Sequence, residues 1–360
     1  MRAGAVLLLA AACVEVQSGP NNGAVFLTAV ADDLVLPTLS EQVERADQLV
    51  RAAQEACTGS SAVGLAVVEA AWRSSRAPLK RGEAFSFGPT DTLRLEANLD
   101  FWPARPEDVE ATLSDSSTIS EAAISALGAT RRGSPAIEVL LFDPLGDQEA
   151  TWTRLQARGG RGCRYLVAAA QVYAADLRTL RGAWSPNGGD FRAQLADPGQ
   201  GASPYFSDSR AAVSGVVNQM IGTLGTLESL KLAKPLGRQS GGAPVLAALE
   251  SRPSGNSTAD AANSLAGVRA LYLTKPNNGP SLQEFVAERA PEADAELLST
   301  WDDLALALGN FDRSLERMIL ERPDDVTAAF VLAQSAHRQL AGPIAGVLGV
   351  TVSFSDADGD

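Results

Sequence analysis

The chain has 360 residues, of which 45% are hydrophobic and 6% aromatic, and its formal net charge is -13. That length supplies a proper core for two domains or one duplicated domain, and abundant Ala and Leu with few aromatics lean the class towards all-α. The acid excess argues against nucleic acid, whose phosphates demand a basic face, and suits cations better.

Residues 1–12 carry one positive charge, Arg2, then a short apolar stretch and small residues before Cys13. This is a secretory signal, too short to be a permanent membrane span. Ala10-Ala11-Ala12-Cys13 resembles a bacterial lipoprotein processing site, with Cys13 as the acylated first residue; ordinary cleavage nearby is the alternative. Val14 follows instead of aspartate, which by the general lipoprotein rule favours the periplasmic face of the outer membrane. No other segment reads as apolar enough for a span. Residues 13–36, which include Gln17-Ser18-Gly19-Pro20-Asn21-Asn22-Gly23, are expected to form a surface tether.

Helices are expected over about 38–57 and 60–80. Val43, Ala46, Val50, Ala53 and Cys57 recur at three and four residue steps, which puts them on one seam. On the next helix Glu69 and Arg73 are spaced as a surface pair. Trp72 and Arg76 share a face, either bordering a cleft or with the indole packed under the arginine stem. A loop-rich stretch follows through Phe85 to Pro89 and Asp100-Phe101-Trp102-Pro103, which could line a pocket or plug a core. Shorter helices are expected near 107–114 and 119–129.

Gly133 to Phe142 reads as a helix start followed by a buried run. Ser134 is placed to cap and Pro135 suits the first helical position. Ile137, Val139, Leu140, Leu141 and Phe142 leave almost no polar face, so Glu138 needs a partner, a metal or a proton. The structural alternative is that it only offsets the positive helix end. A long helix over about 161–184 carries Cys163, Leu166, Ala170, Tyr173, Leu177, Leu180 and Trp184 on one seam. Cys57 near a helix end and Cys163 near a helix start favour a disulfide, with two buried thiols as the alternative; export permits the bridge.

Residues 186–204, rich in Gly, Pro and Asp, mark the expected linker. Val213, Val217, Met220, Ile221, Leu224 and Leu227 form one seam beyond it, and Leu297, Trp301, Leu304, Leu308, Phe311, Leu315 and Met318 another. Ser257 with Asp260 reads as a capping box for the helix carrying Leu265, Val268 and Leu271. Glu250 and Arg252 in the preceding loop have no such explanation. The single histidine, His337, shares a stripe with Val326, Phe330, Ala333 and Leu340 and reads as a satisfied interior residue. One histidine cannot make a two-histidine zinc helix. The run Asp356 to Asp360 lacks the remaining ligands of a calcium loop and reads as a solvated tail. The fold class is therefore all-α, a duplicated bundle: two up-and-down four-helix-type bundles, 37–185 and 205–360, packed together.

Ala71-Trp72-Arg73-Ser74-Ser75-Arg76, Phe87-Gly88-Pro89, Asp100 to Pro103, Gly133 to Phe142, Pro235-Leu236-Gly237, Glu250-Ser251 with Ser254 and Ser257, and the ending from Phe354 resemble, in this order, the imelysin family of exported bacterial proteins. The resemblance implies a duplicated helical fold, a periplasmic or outer-membrane address and association with iron-regulated genes. Its signature is Gly-x-His-x-x-Glu, a metal pair three residues apart on a helix. Gly133 and Glu138 match it, but Pro135 stands in the histidine's place and offers no ligand atom, so Glu138 would be the only metal ligand left. The expected function is a non-catalytic, lipid-anchored envelope protein for iron or haem acquisition. Its cleft near the junction of the halves would be lined by Glu138, Arg76, Asp100, Trp102, Glu250 and Arg252. The alternatives are a metal-dependent peptidase built on Glu138, and a structural protein that docks an envelope partner.

Overall fold

Three and four residue spacing of apolar side chains runs through most of the sequence, and the chain answers with helices; no strand occurs among the described residues. The computed structural model describes residues 22–353 except 60, 144 and 203. The signal segment, Cys13 and the Asp356 to Asp360 run lie outside the described residues.

The first half is built on Leu36–Thr58, Leu65–Arg81 and Gln148–Trp184, with Leu36–Thr58 packed on both of the others. Cys163, Leu166, Ala170, Tyr173, Leu177, Leu180 and Trp184 are all buried, as their spacing predicts. Ala157 to Gly160 leave helical geometry, which is why the regular helix resumes at 161. The second half is built on Ser209–Thr226, Ser257–Leu273, Pro291–Gly309 and Pro323–Gln339. Leu65–Arg81 packs on Ser257–Leu273 and so joins the halves. Gly267 permits the approach: a Cβ there would lie 2.1 Å from the Arg81 carbonyl oxygen. The buried apolar side chains form one continuous core through both halves.

Two boundaries differ from the sequence reading. Residues 22–36 are not a tether: Asn22–Ala29, a π-helical turn over Val30–Val35 and Leu36–Thr58 follow one another without a break. Phe26, Leu27, Val30, Ala31 and Val35 are buried, and Asn22–Ala29 packs on Ser209–Thr226 of the other half. The polar Asn and Gly residues hid the apolar run that begins directly after them. The resulting helix over Gly23–Thr58 is long and apolar enough to cross a membrane, contrary to expectation, although those five apolar residues lie in the protein core. Residues 186–204 are likewise no bare linker. They contain the helix Phe191–Ala196, whose Phe191 ring meets Trp184 at 4.8 Å and Tyr205 at 5.1 Å, and Arg192 binds Asp32.

Cys57 and Cys163 form a disulfide across 106 residues, with Cα atoms 5.5 Å apart. Closing so long a loop restricts the unfolded chain, a contribution of about 4 to 5 kcal/mol in the chain-entropy account. Reduction, or replacement of both cysteines by serine, is expected to lower the melting temperature of the purified protein by several degrees; an unchanged melting curve would contradict this assignment.

Candidate functional site

Trp72, Arg76 and Lys80 succeed one another every four residues on Leu65–Arg81, so they share one face, from which Arg76 and Lys80 reach the other half. Arg76 is 1% exposed and sits 5.6 Å from the Trp72 ring. Its Nη2 donates to Asp260 Oδ2 at 2.7 Å and to Glu250 Oε1 at 3.3 Å, and its Nε to Asp260 at 3.2 Å. Its Nη1 binds Asp100 and also Ser134 Oγ at 3.3 Å. The Trp72 indole N–H donates to the Ser134 carbonyl at 3.0 Å.

The ammonium of Lys80 binds Glu83 at 2.6 Å and also Asp100 and Glu250. Lys231, delivered by the π-helical turn Leu227–Ala233, bridges Glu83 at 3.0 Å and Glu250 at 2.8 Å. Asp260 is fully buried and also accepts from Asn256 Nδ2 at 2.8 Å and from Ser251 Oγ. Three cations and four carboxylates from both halves thus saturate one another. Burial alone would discharge Arg76 and Lys80; Asp100 with Asp260 and Glu250 for the first, and with Glu250 and Glu83 for the second, outweigh it and hold both firmly charged. Burial likewise opposes ionisation of Glu250, but Lys231, Lys80 and Arg76 keep its carboxyl far below the ordinary range.

Glu138 stands apart from this network. On the buried helix Gly133–Leu141 it is 1% exposed, and its Oε1 accepts the Ser254 backbone N–H at 2.9 Å. Burial pushes its carboxyl up to about 7, against the lowering effect of the Ser254 contact and Arg76. Arg73 grips the same loop, donating to Ser254 O at 2.7 Å and Asn256 Oδ1 at 3.3 Å. Ser251 within the loop holds a left-handed φ of 46°.

Of the expected cleft residues, Arg76, Asp100 and Glu250 meet directly. Trp102 lies on the wall of a cavity that Asp100 and Glu250 also line. Arg252 is a correction: its side chain is 44% exposed and forms a two-pronged bond with Glu316, at 3.0 and 2.8 Å, outside the buried network. The Glu69–Arg73 pair is not formed, because Arg73 turns to the loop and Glu69 accepts from Gln148 at 3.2 Å. Ser134 caps nothing; its carbonyl and hydroxyl serve Trp72 and Arg76. Asp260 is no surface cap but the deepest acid of the network. His337 is partly exposed and pairs with Glu228 at 2.7 Å. Sequence reasoning missed Lys80, Glu83 and Lys231 and gave Asp260 only a capping role; of the missed residues only Lys80, one turn beyond Arg76, carried a readable signal.

A helical protein whose halves close on a largely buried, mutually paired ion network is the class this geometry defines. The sequence model of the Imelysin family matches residues 35–344, and the chain belongs to that family. It is 25% identical to Iron-regulated protein A of Synechococcus elongatus, over 79% of this chain and 74% of that one. Its fold is similar to that of an iron-regulated protein A precursor from Parabacteroides distasonis, with a TM-score of 0.79, 18% identity and coverage of 93% and 96% of the two chains. An imelysin-like protein from Psychrobacter arcticum matches with a TM-score of 0.72, 18% identity and coverage of 92% and 97%.

The metal pair of the family signature does not fit these residues. Pro135 has no ligand atom, and Glu138 is occupied by a backbone amide. Glu83, Asp100 and Glu250 do bring oxygens within 4.8 Å of one another, a spacing a cation could use. The ammonium of Lys80 already binds all three. Removing it with Lys80→Met leaves buried carboxylates uncompensated and is expected to cost about 3 to 5 kcal/mol in urea unfolding, while EDTA leaves the wild-type curve unchanged.

Glu138 predicts a pH slope of definite sign. Its carboxyl is neutral in both folded and unfolded chains below about 4.5, but above that only the unfolded chain releases the proton freely. The penalty grows until pH passes about 7, where the folded group ionises too, and it totals about 3 kcal/mol. Wild-type stability is therefore expected to fall between pH 5 and 7.5 relative to Glu138→Gln, which keeps an acceptor for Ser254 without a proton to lose. Parallel pH profiles of the two proteins would contradict this.

Proposed function

We propose that the chain is a non-catalytic binding protein of the bacterial cell envelope that works in iron acquisition, anchored through lipid at Cys13 and holding its ligand where the halves meet. The observation that carries the reading is the commitment of the charged groups at the junction. Arg76, Lys80 and Lys231 are spent on Asp100, Asp260, Glu250 and Glu83, and Glu138 is held by an amide. Such an arrangement fixes shape and potential, whereas hydrolysis needs a base or a metal-bound water within reach of substrate. The iron link is supported by the names of the relatives in Synechococcus and Parabacteroides. The envelope address is supported by the apolar leader that ends in Ala-Ala-Ala-Cys13.

The test is a titration of the purified mature protein with ferrous iron, ferric iron and haem, beside an assay on an unstructured protein substrate. Saturable binding without cleavage is the expected outcome. Metal-dependent cleavage that Glu138→Gln abolishes would instead establish the peptidase.

A further inference from the structure

A cavity of about 360 Å³ opens beside the ion network, within the range of small-molecule sites. Phe85, Phe101, Trp102 and Trp184 supply aromatic wall, and the charged side chains around it are Lys80, Lys231, Glu83, Asp100, Glu250 and Glu96. Four carboxylates thus face two ammonium groups. Both ammonium groups are already spent, Lys80 on three carboxylates and Lys231 on two. An incoming anion would meet no free positive charge. Among the described residues Glu96, by contrast, has no ion-pair partner. Glu96 lies at the solvent-exposed edge of the cavity, where partial burial, then the charges of Asp91 and Glu83, push its carboxyl above the ordinary value.

Two buried polar atoms on this cavity's lining residues lack partners: the amide oxygen of Gln42 and the indole N–H of Trp102. The Gln42 orientation is fixed, because its Nε2 donates to the Pro78 carbonyl at 3.0 Å. Gln42 is 3% exposed, so water reaches it poorly. Neither atom is open to water as the wall stands, so an occupant reaches them only with a small side-chain adjustment, and one that satisfies both must bring one hydrogen-bond donor and one acceptor. Aromatic faces beside carboxylates favour a positive charge.

We propose that this cavity binds a small amphipathic organic cation, with its apolar body between the aromatic side chains, its protonated amine towards Glu96, and an oxygen acceptor for the Trp102 N–H. The inference rests on the binding-protein reading and is independent of the link to iron. It disfavours haem as the occupant of this cavity, since propionates would meet carboxylates.

Calorimetric titration of the full mature chain with three near-isosteric probes tests it: 2-amino-1-phenylethanol, its neutral diol 1-phenyl-1,2-ethanediol, and its acid mandelate. The amine is expected to bind, the diol several-fold more weakly, and mandelate not measurably. Glu96→Gln, an exposed position that leaves the core intact, is expected to weaken the amine about fivefold and leave the diol unchanged. Trp102→Phe, which keeps an aromatic wall, is expected to weaken both. Mandelate binding as tightly as the amine, an amine insensitive to Glu96→Gln, or no amine binding at millimolar concentration overturns the proposal. Haem or iron binding in a protein that ignores the amine overturns the ligand class alone; a protein that takes none of them overturns the binding-protein reading as well.

Discussion

The guanidinium of Arg76 is almost free of solvent and holds Asp100, Glu250 and Asp260, carboxylates that lie 24, 174 and 184 residues along the chain from it. The first half brings two cations and two acids, but in the second Glu250 and Asp260 outnumber Lys231, and an acid uncompensated at such a depth is costly, so the second half relies on Arg76 and Lys80 across the contact. The close contact of Leu65–Arg81 with Ser257–Leu273 therefore compensates buried charge as well as burying apolar surface. Gly267 provides the clearance for it, and Lys80 and Lys231 compensate Glu83, the one carboxylate of the network that Arg76 does not reach, while sharing Glu250 with it.

Much of the fold was legible because periodicity is a property of local sequence. The seam from Cys163 to Trp184 is buried throughout, and the pairing of Cys57 with Cys163 followed from their places on two seams. The buried state of Glu138 was legible as well, since its neighbours leave no polar face. Its partner was not, because the Ser254 amide comes from a loop 116 residues away. Asp260 misled for a related reason: Ser257 with Asp260 satisfies a local capping rule, and only the tertiary contact with Arg76 shows where the carboxylate goes. Lys80 and Lys231 resemble any lysine on a helix until the acids that surround them are known. Arg252 failed in the opposite direction, as a partly exposed partner, Glu316, was available nearby.

The loop between Glu250 and Ser257 receives the first half at several points. Arg73 holds its Ser254 carbonyl, Glu138 its Ser254 amide, and Arg76 the carboxylate of Glu250. A backbone held through both the N–H and the C=O of Ser254 can sustain the unfavourable left-handed φ of nearby Ser251. The loop is thus as much a product of the first half as of its own sequence.

The disulfide also acts on the search for this network. Arg76, Lys80, Glu83, Asp100 and Glu138 all fall between Cys57 and Cys163, inside one covalent ring, while Lys231, Glu250 and Asp260 lie outside it. In an oxidised but unfolded chain the first group cannot drift apart beyond the reach of that ring, whereas the second group roams on a free arm. Assembly of the ion network in an oxidising compartment is then the meeting of a tethered set with an untethered one, and reduction dissolves that asymmetry without breaking any ion pair.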